Sequence, residues 1–338
     1  MLGTSKVHRA LGWRGVRRPL THHFLILQYL SSVSSHWSCA PIILRVSPHS
    51  AMRRWVAICF FASTAAIGGV LAAGELLSYP AHRLVGPPPR ELQASAVDFY
   101  TSAGGRVSGW ILPGKPKRGA VLLLHGVRGD RREMVDRAKF LSKLGYGILL
   151  VDLPAHGESS GDRITYGALE AEGVKAALSF LAHSQPSERI GVIGISLGAA
   201  SLVLSKPSPA PSAVVLESMF PTIEEAAYNR LRIYLGASAG IFSTLLIEQL
   251  PLKLGISTAQ LHPIEDTSAL HCPTLIVSGA LDRHTTPHET KRIFDAAPEP
   301  KELWIVDGAA HVDLHAFTPQ AYEARVGAFL AKYLRTPG

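Results

Sequence analysis

Six short apolar runs constrain this chain more than any other feature. They are Ala120–Leu124, Gly147–Val151, Ile190–Ile195, Ala213–Leu216, Thr274–Val277 and Glu302–Val306. Helical patterns lie near Arg131–Leu144, Gly167–His183, Leu197–Leu204, His288–Ala297 and Pro319–Leu334. An uninterrupted Val/Ile/Leu run suits a strand covered on both faces, and its repeated alternation with helices predicts parallel strands in one sheet. Two alternating runs come first, Ala96–Tyr100 and Val107–Leu112, with Ser102-Ala103-Gly104-Gly105 between them. That spacing predicts an antiparallel hairpin. The expected fold is therefore α/β, with a mostly parallel sheet, an N-terminal antiparallel hairpin and helices on both faces. One stretch, at about 219–270, separates two strands that a single helix could join. It is apolar and helix-like, which predicts a helical lid over the strand ends. Gly, Pro, Glu248 and Lys253 interrupt it, which argues against a second membrane helix.

The charge is as unevenly distributed as the hydropathy. The net charge of +8 would ordinarily point to a polyanionic partner. Residues 1–54 hold Lys6, Arg9, Arg14, Arg17, Arg18, Arg45, Arg53 and Arg54 but no acidic residue, and the first carboxylate is Glu75. The remaining 26 basic residues balance 26 acidic ones, so no nucleic-acid partner is expected. From Trp55 to Gly74 no charge occurs, and roughly 20 such residues suffice to cross a bilayer as a helix. Met52-Arg53-Arg54 stands directly before this run. Residues 52–76 read either as an anchor with its Arg-Arg end in the cytoplasm or as a signal peptide cut near Ala72 and Ala73. Residues 1–51 are expected to be an upstream extension, with Met52 the natural start. The prolines at 87, 88 and 89 mark 77–91 as a linker, leaving 92–338 for one α/β domain.

Gly194-Ile195-Ser196-Leu197-Gly198 is a G-x-S-x-G pentapeptide between an apolar run and a helix-forming segment. A strand–turn–helix context is what this motif needs to present a nucleophilic serine. Side chains at Gly194 or Gly198 would crowd the neighbouring strand and helix. A serine hydroxyl is a weak nucleophile that needs a base, and the base needs an orienting acid. Asp282 follows the Thr274–Val277 run and His311 follows Glu302–Val306, giving the chain order Ser, Asp, His. Glu217 stands at another strand end as a rival acid, and His284 and His315 are rival bases. Asp307 and Asp313 lie too near His311 in sequence to orient it comfortably. Three cysteines are too few for a disulfide scaffold, and no pair has zinc-ligand spacing. No phosphate loop or dinucleotide fingerprint occurs, so neither cofactor nor metal is expected.

With LLLHG at 122–126, DLPAHGESSG at 152–161, GISLG at 194–198, SGALD at 278–282 and GAAH at 308–311, the chain resembles the α/β-hydrolase superfamily. Within it, the resemblance is to the serine aminopeptidase-like and monoacylglycerol-lipase-like branch, over about residues 92–335. The resemblance implies Ser196 as nucleophile, His311 as general base and Asp282 as orienting acid. It implies an oxyanion hole from the backbone N–H groups of Val127 and Leu197. His125 and His156 read as structural loop residues, and Pro154-Ala155 replaces the Arg-Gly usual in relatives. The expected activity is hydrolysis of carboxylic esters or thioesters of small-molecule or acyl substrates, in a membrane-anchored extracytoplasmic enzyme or a secreted one. An aminopeptidase would need an acidic group for the substrate ammonium, for which Glu217, Glu224 and Glu225 are candidates. A non-catalytic binding protein would be expected to lack the serine or the histidine, and both are present.

Overall fold

The computed structural model describes residues 48–336. By compactness the chain divides at Trp55/Val56. Of the first unit only Pro48–Trp55, the opening turns of a helix, lies among the described residues. The expected extension over 1–51 falls almost wholly outside them. That helix, α1, runs from Pro48 to Ser78.

An eight-stranded sheet organises the second unit. Its strands are β1 (Ser95–Tyr100), β2 (Arg106–Leu112), β3 (Ala120–Leu124), β4 (Gly147–Val151), β5 (Ile190–Ile195), β6 (Ala213–Glu217), β7 (Thr274–Gly279) and β8 (Lys301–Val306). The spatial order is β8-β7-β6-β5-β3-β4-β2-β1. β1 and β2 form the antiparallel hairpin, β2 joins β4 antiparallel, and β3 to β8 are parallel. The sheet is thus mixed, with the expected parallel body. Every residue of β3, β4 and β6 is buried, as strands covered on both faces must be. One core layer contains Leu122, Leu149 and Val192, and the other contains Leu123, Leu150 and Ile193. The covering helices include α2 (Val135–Lys143), α3 (Ala168–Ser184) and α4 (Leu197–Leu204).

The insertion after β6 is helical. It contains α5 (Ile223–Leu235), α6 (Ala239–Ile247) and α7 (Gln249–Leu254). Among the described residues, two segments are long and apolar enough to cross a membrane, Ser50–Ser78 and Ile223–Leu254. The second is not one rod. Gly236, at φ 55°, breaks it, and α5 packs against α6. Thirteen residues of α5 rise only about 20 Å, short of a bilayer core. Two further helices, α8 (Pro287–Ala296) and α9 (Pro319–Leu334), follow β7 and β8.

The stretch at 77–91 is docked along its middle. Ala81 and His82 pair in parallel with His156 and Gly157. Glu158 accepts from the amides of Val85 and Gly86 at 3.1 and 3.0 Å.

A buried cation ties three elements together. Arg137 on α2 donates to Glu217 at the end of β6, at 2.7 Å. Tyr322 on α9 also hydrogen-bonds Glu217. Burial alone would lower the basicity of Arg137, but the Glu217 carboxylate more than reverses this. Removing one partner from such a pair strands the other charge in the core. Arg137→Ala is expected to cost about 3–5 kcal/mol in urea unfolding. A loss below about 1 kcal/mol would show that water replaces the guanidinium.

Candidate active site

Ser196 sits in the turn between β5 and α4, where the strand order reverses. In open α/β sheets such a switch point, at the carboxyl ends of the strands, forms a crevice. The Ser196 backbone holds φ 48° and ψ −107°, a conformation that costs a side-chain-bearing residue energy. Glycines make the turn possible. A Cβ on Gly194 would stand 2.7 Å from the Ala199 nitrogen, and one on Gly198 would stand 2.6 Å from the Leu124 carbonyl oxygen. The Ser196 N–H donates to the Glu217 carbonyl at 2.7 Å, which ties the turn to β6.

The loop after β3 lies alongside. His125 is fully buried, and its Nε2 accepts from the Leu153 amide at 3.0 Å. A ring nitrogen that accepts carries no proton, so Nδ1 bears it and donates to the Gly126 carbonyl at 2.7 Å. Burial pushes the His125 pKa down to about 3, so the ring is neutral. The next residues, Val127 and Arg128, line one cavity with Ser196 and Leu197. Arg128 has φ 60° and donates to the carbonyls of Leu76 and Leu77 at the end of α1. His156 is also buried, with Nδ1 2.8 Å from the Pro154 carbonyl and a pKa brought down to about 4 by burial. Neither histidine lines the cavity.

Asp282 and His311 come from the loops after β7 and β8. A Cβ on Gly279 would meet the Ala309 carbonyl at 2.3 Å, so only glycine lets the loops approach so closely. The Leu281 N–H donates to that same carbonyl at 2.7 Å. Asp282 Oδ2 lies 2.8 Å from His311 Nδ1, and Oδ1 accepts from the amides of His284 and Thr285 at 2.8 and 2.9 Å. Burial raises the Asp282 pKa, but the His311 bond and the two amides outweigh it, and the net direction is down. His311 lines the cavity with Ser196, while Asp282 sits behind it, 2 % exposed.

The rivals are otherwise engaged. Glu217 is held by Arg137 and Tyr322, and Asp313 by Arg137 at 2.8 Å. His315 lies 3.1 Å from Glu323. His284 stacks on His311 with ring centroids 4.7 Å apart. Its Nδ1 lies 3.0 Å from Arg230, and burial followed by that guanidinium brings its pKa to about 4.

The cavity encloses about 370 Å³. Apolar residues of the lid, including Phe220, Ile223, Leu231 and Leu246, form much of its wall. Three residues of α1 complete it: Gly74, Leu77 and Ser78. Neither these nor Arg128 and Arg230 stood out in the sequence. Arg128 does follow the His-Gly-Val turn directly, which is the one local signal available.

Residues 121–325 match the profile of the alpha/beta hydrolase family. This chain belongs to that family. An uncharacterized protein of Mycobacterium tuberculosis, Rv2307c, is 30% identical over 232 residues, covering 67% of this chain and 73% of its own. An esterase of Pyrococcus furiosus, Pf2001, superposes with a TM-score of 0.64 at 24% identity, covering 76% of this chain and 98% of that one. The hydrolase GrgF from Penicillium superposes at 0.57 with 19% identity, covering 71% and 99%.

The neutral buried histidines set a pH dependence. Their folded pKa values lie below the ordinary histidine value of about 6.5, so the unfolded chain binds more protons as pH falls through that window. Stability is full above about pH 6.5 and is lost toward pH 4. For His125 alone the loss between pH 7 and pH 5 is expected to be about 2 kcal/mol. Urea midpoints at the two pH values measure it, and equal midpoints would refute neutral burial.

Proposed function

We propose that this protein is a serine hydrolase that cleaves carboxylic esters or thioesters through an acyl-enzyme. The observation that carries the reading is that Ser196 and His311 line one apolar cavity, with Asp282 bonded to the far nitrogen of His311 at 2.8 Å. In this mechanism Ser196 Oγ attacks the carbonyl carbon while His311 Nε2 takes its proton. Asp282 holds the ring and offsets the imidazolium charge. The carbonyl oxygen becomes an oxyanion and accepts from the N–H groups of Val127 and Leu197, each such donor contributing about 3 kcal/mol. The tetrahedral adduct collapses, His311 protonates the leaving alcohol or thiol, and the acyl group stays on Ser196. Water, deprotonated by His311, then attacks the acyl carbonyl, releasing the acid and restoring the serine.

Two observations disfavour the aminopeptidase alternative. Arg128, Arg230 and Lys253 line the cavity, and among the described residues no carboxylate does. The three acids that could hold an ammonium group are occupied: Glu217 by Arg137, Glu224 by His262 and Glu225 by Arg292. The binding-protein alternative has no lost catalytic group to support it.

We read α1 as a retained anchor, with Arg53 and Arg54 on the cytoplasmic side and the hydrolase domain outside. Its last turn lines the cavity, and cleavage near Ala72 would free that turn from its helix.

A fluorophosphonate probe is expected to label the protein, and Ser196→Ala is expected to abolish labelling. Asp282→Asn should lower kcat on p-nitrophenyl esters by roughly 10³–10⁴-fold, because the wrong tautomer of His311 is then favoured. Faster hydrolysis of aminoacyl-nitroanilides than of the esters would restore the peptidase alternative.

A further inference from the structure

We propose that α1 is a working part of this site as well as a tether. Its last turn forms a wall for a long acyl chain, and the substrate is a long-chain ester taken from the bilayer that α1 crosses. This rests on the hydrolase and anchor readings above and deepens them.

Four observations carry it. First, Gly74, Leu77 and Ser78 line the same cavity as Ser196 and His311. Second, the end of α1 is fastened at three places. Arg128 donates to the carbonyls of Leu76 and Leu77, which a helix C-terminus leaves without intrahelical partners. Gln249 Nε2 donates to the Val70 carbonyl at 3.1 Å, and Lys253 Nζ to the Leu71 carbonyl at 2.9 Å. Glu75 pairs with Lys253 at 3.3 Å and also with Arg163. The helix is thereby joined to the lid, to the loop before α3 and, through Arg128, to the loop that holds Val127.

Third, the contact is close. The Gln249 side chain reaches the α1 backbone at Gly74, where a Cβ would stand 2.5 Å from its Oε1. Fourth, position along the helix locates the cavity. The uncharged run ends at Gly74, and the wall residues lie within the next ~6 Å of rise. The cavity therefore opens where α1 leaves the hydrocarbon, with Glu75, Arg163 and Lys253 at headgroup depth. Ile241 and Leu252 of the lid are 69% and 88% exposed, apolar side chains that a bilayer would cover. A chain that leaves the bilayer beside α1 enters a cavity walled in large part by apolar side chains such as Leu77, Phe220, Leu231 and Leu246.

The test uses the full chain in phosphatidylcholine vesicles. Hydrolysis of p-nitrophenyl palmitate dispersed in the vesicles is compared with that of soluble p-nitrophenyl butyrate. Leu77→Trp should lower the palmitate-to-butyrate ratio of kcat/KM by at least about 10-fold, the scale of a lost methylene pocket or more. Leu252→Glu, on the outer face of the lid, should lower palmitate hydrolysis in vesicles and leave butyrate hydrolysis unchanged. Arg128→Gln should lower kcat on both esters, and Arg128→Lys should restore part of it. If both esters respond equally to Leu77→Trp and to Leu252→Glu, the proposal is overturned. A wild-type protein that neither hydrolyses butyrate nor labels with fluorophosphonate would instead sink the hydrolase reading.

Discussion

The strained backbone at Ser196 is the constraint from which the rest of the site follows. A residue held at φ 48° and ψ −107° costs of order 1–3 kcal/mol and persists only where its surroundings over-determine it. Here β5 is hydrogen-bonded to β3 on one side and β6 on the other. The turn cannot relax without shearing the middle of the sheet. The helix that follows is buried along nearly its whole length. Gly198 rests on the carbonyls of Leu124 and His125, so the serine turn and the loop after β3 touch backbone to backbone. Moving either would move the other.

Charge is used differently in the core and in the cavity. Arg131 and Arg137 are buried beneath the strand ends and matched by Asp152 and Glu217. Arg131 also stacks on Trp110 at 4.8 Å. Buried pairs of this kind add little net stability, but they are costly to break, so they hold loops in one register. Arg137 reaches both Glu217 and Asp313, and so connects the strand beside Ser196 with the loop that carries His311. The cavity, by contrast, is largely apolar, with Arg128, Arg230 and Lys253 among its lining.

Much of this was legible in the sequence. The bounds of β3, β4, β5 and α4 coincide with those read from the sequence, because segments buried on several sides leave little polar interruption; those of α9 coincide too, marked by Pro319 at its start and an amphipathic pattern. The three proposed catalytic side chains were visible because each follows a strand directly. What escaped was tertiary. Glu217 looked like a free acid at a strand end, and only the fold brings Arg137 from α2 to occupy it. The pairing of Ala81 and His82 with His156 and Gly157 is too short for any periodicity. The stretch read as a linker carries the prolines but is docked on Glu158. Nothing in the run from Trp55 to Gly74 hinted that the residues just past it would line a cavity.

The placement of Asp282 and His311 on β7 and β8 has a consequence for how the molecule is made. These are the last two strands in chain order, and the clamp between their loops, Leu281 to Ala309, closes only when both have joined the sheet. A chain synthesised from its N-terminus presents α1 first, then Ser196, and the acid and base only near the end of translation. The proposed nucleophile is thus made 115 residues before the histidine that would activate it. On the proposed mechanism, competence then arrives in one step, and an unfinished chain is chemically silent.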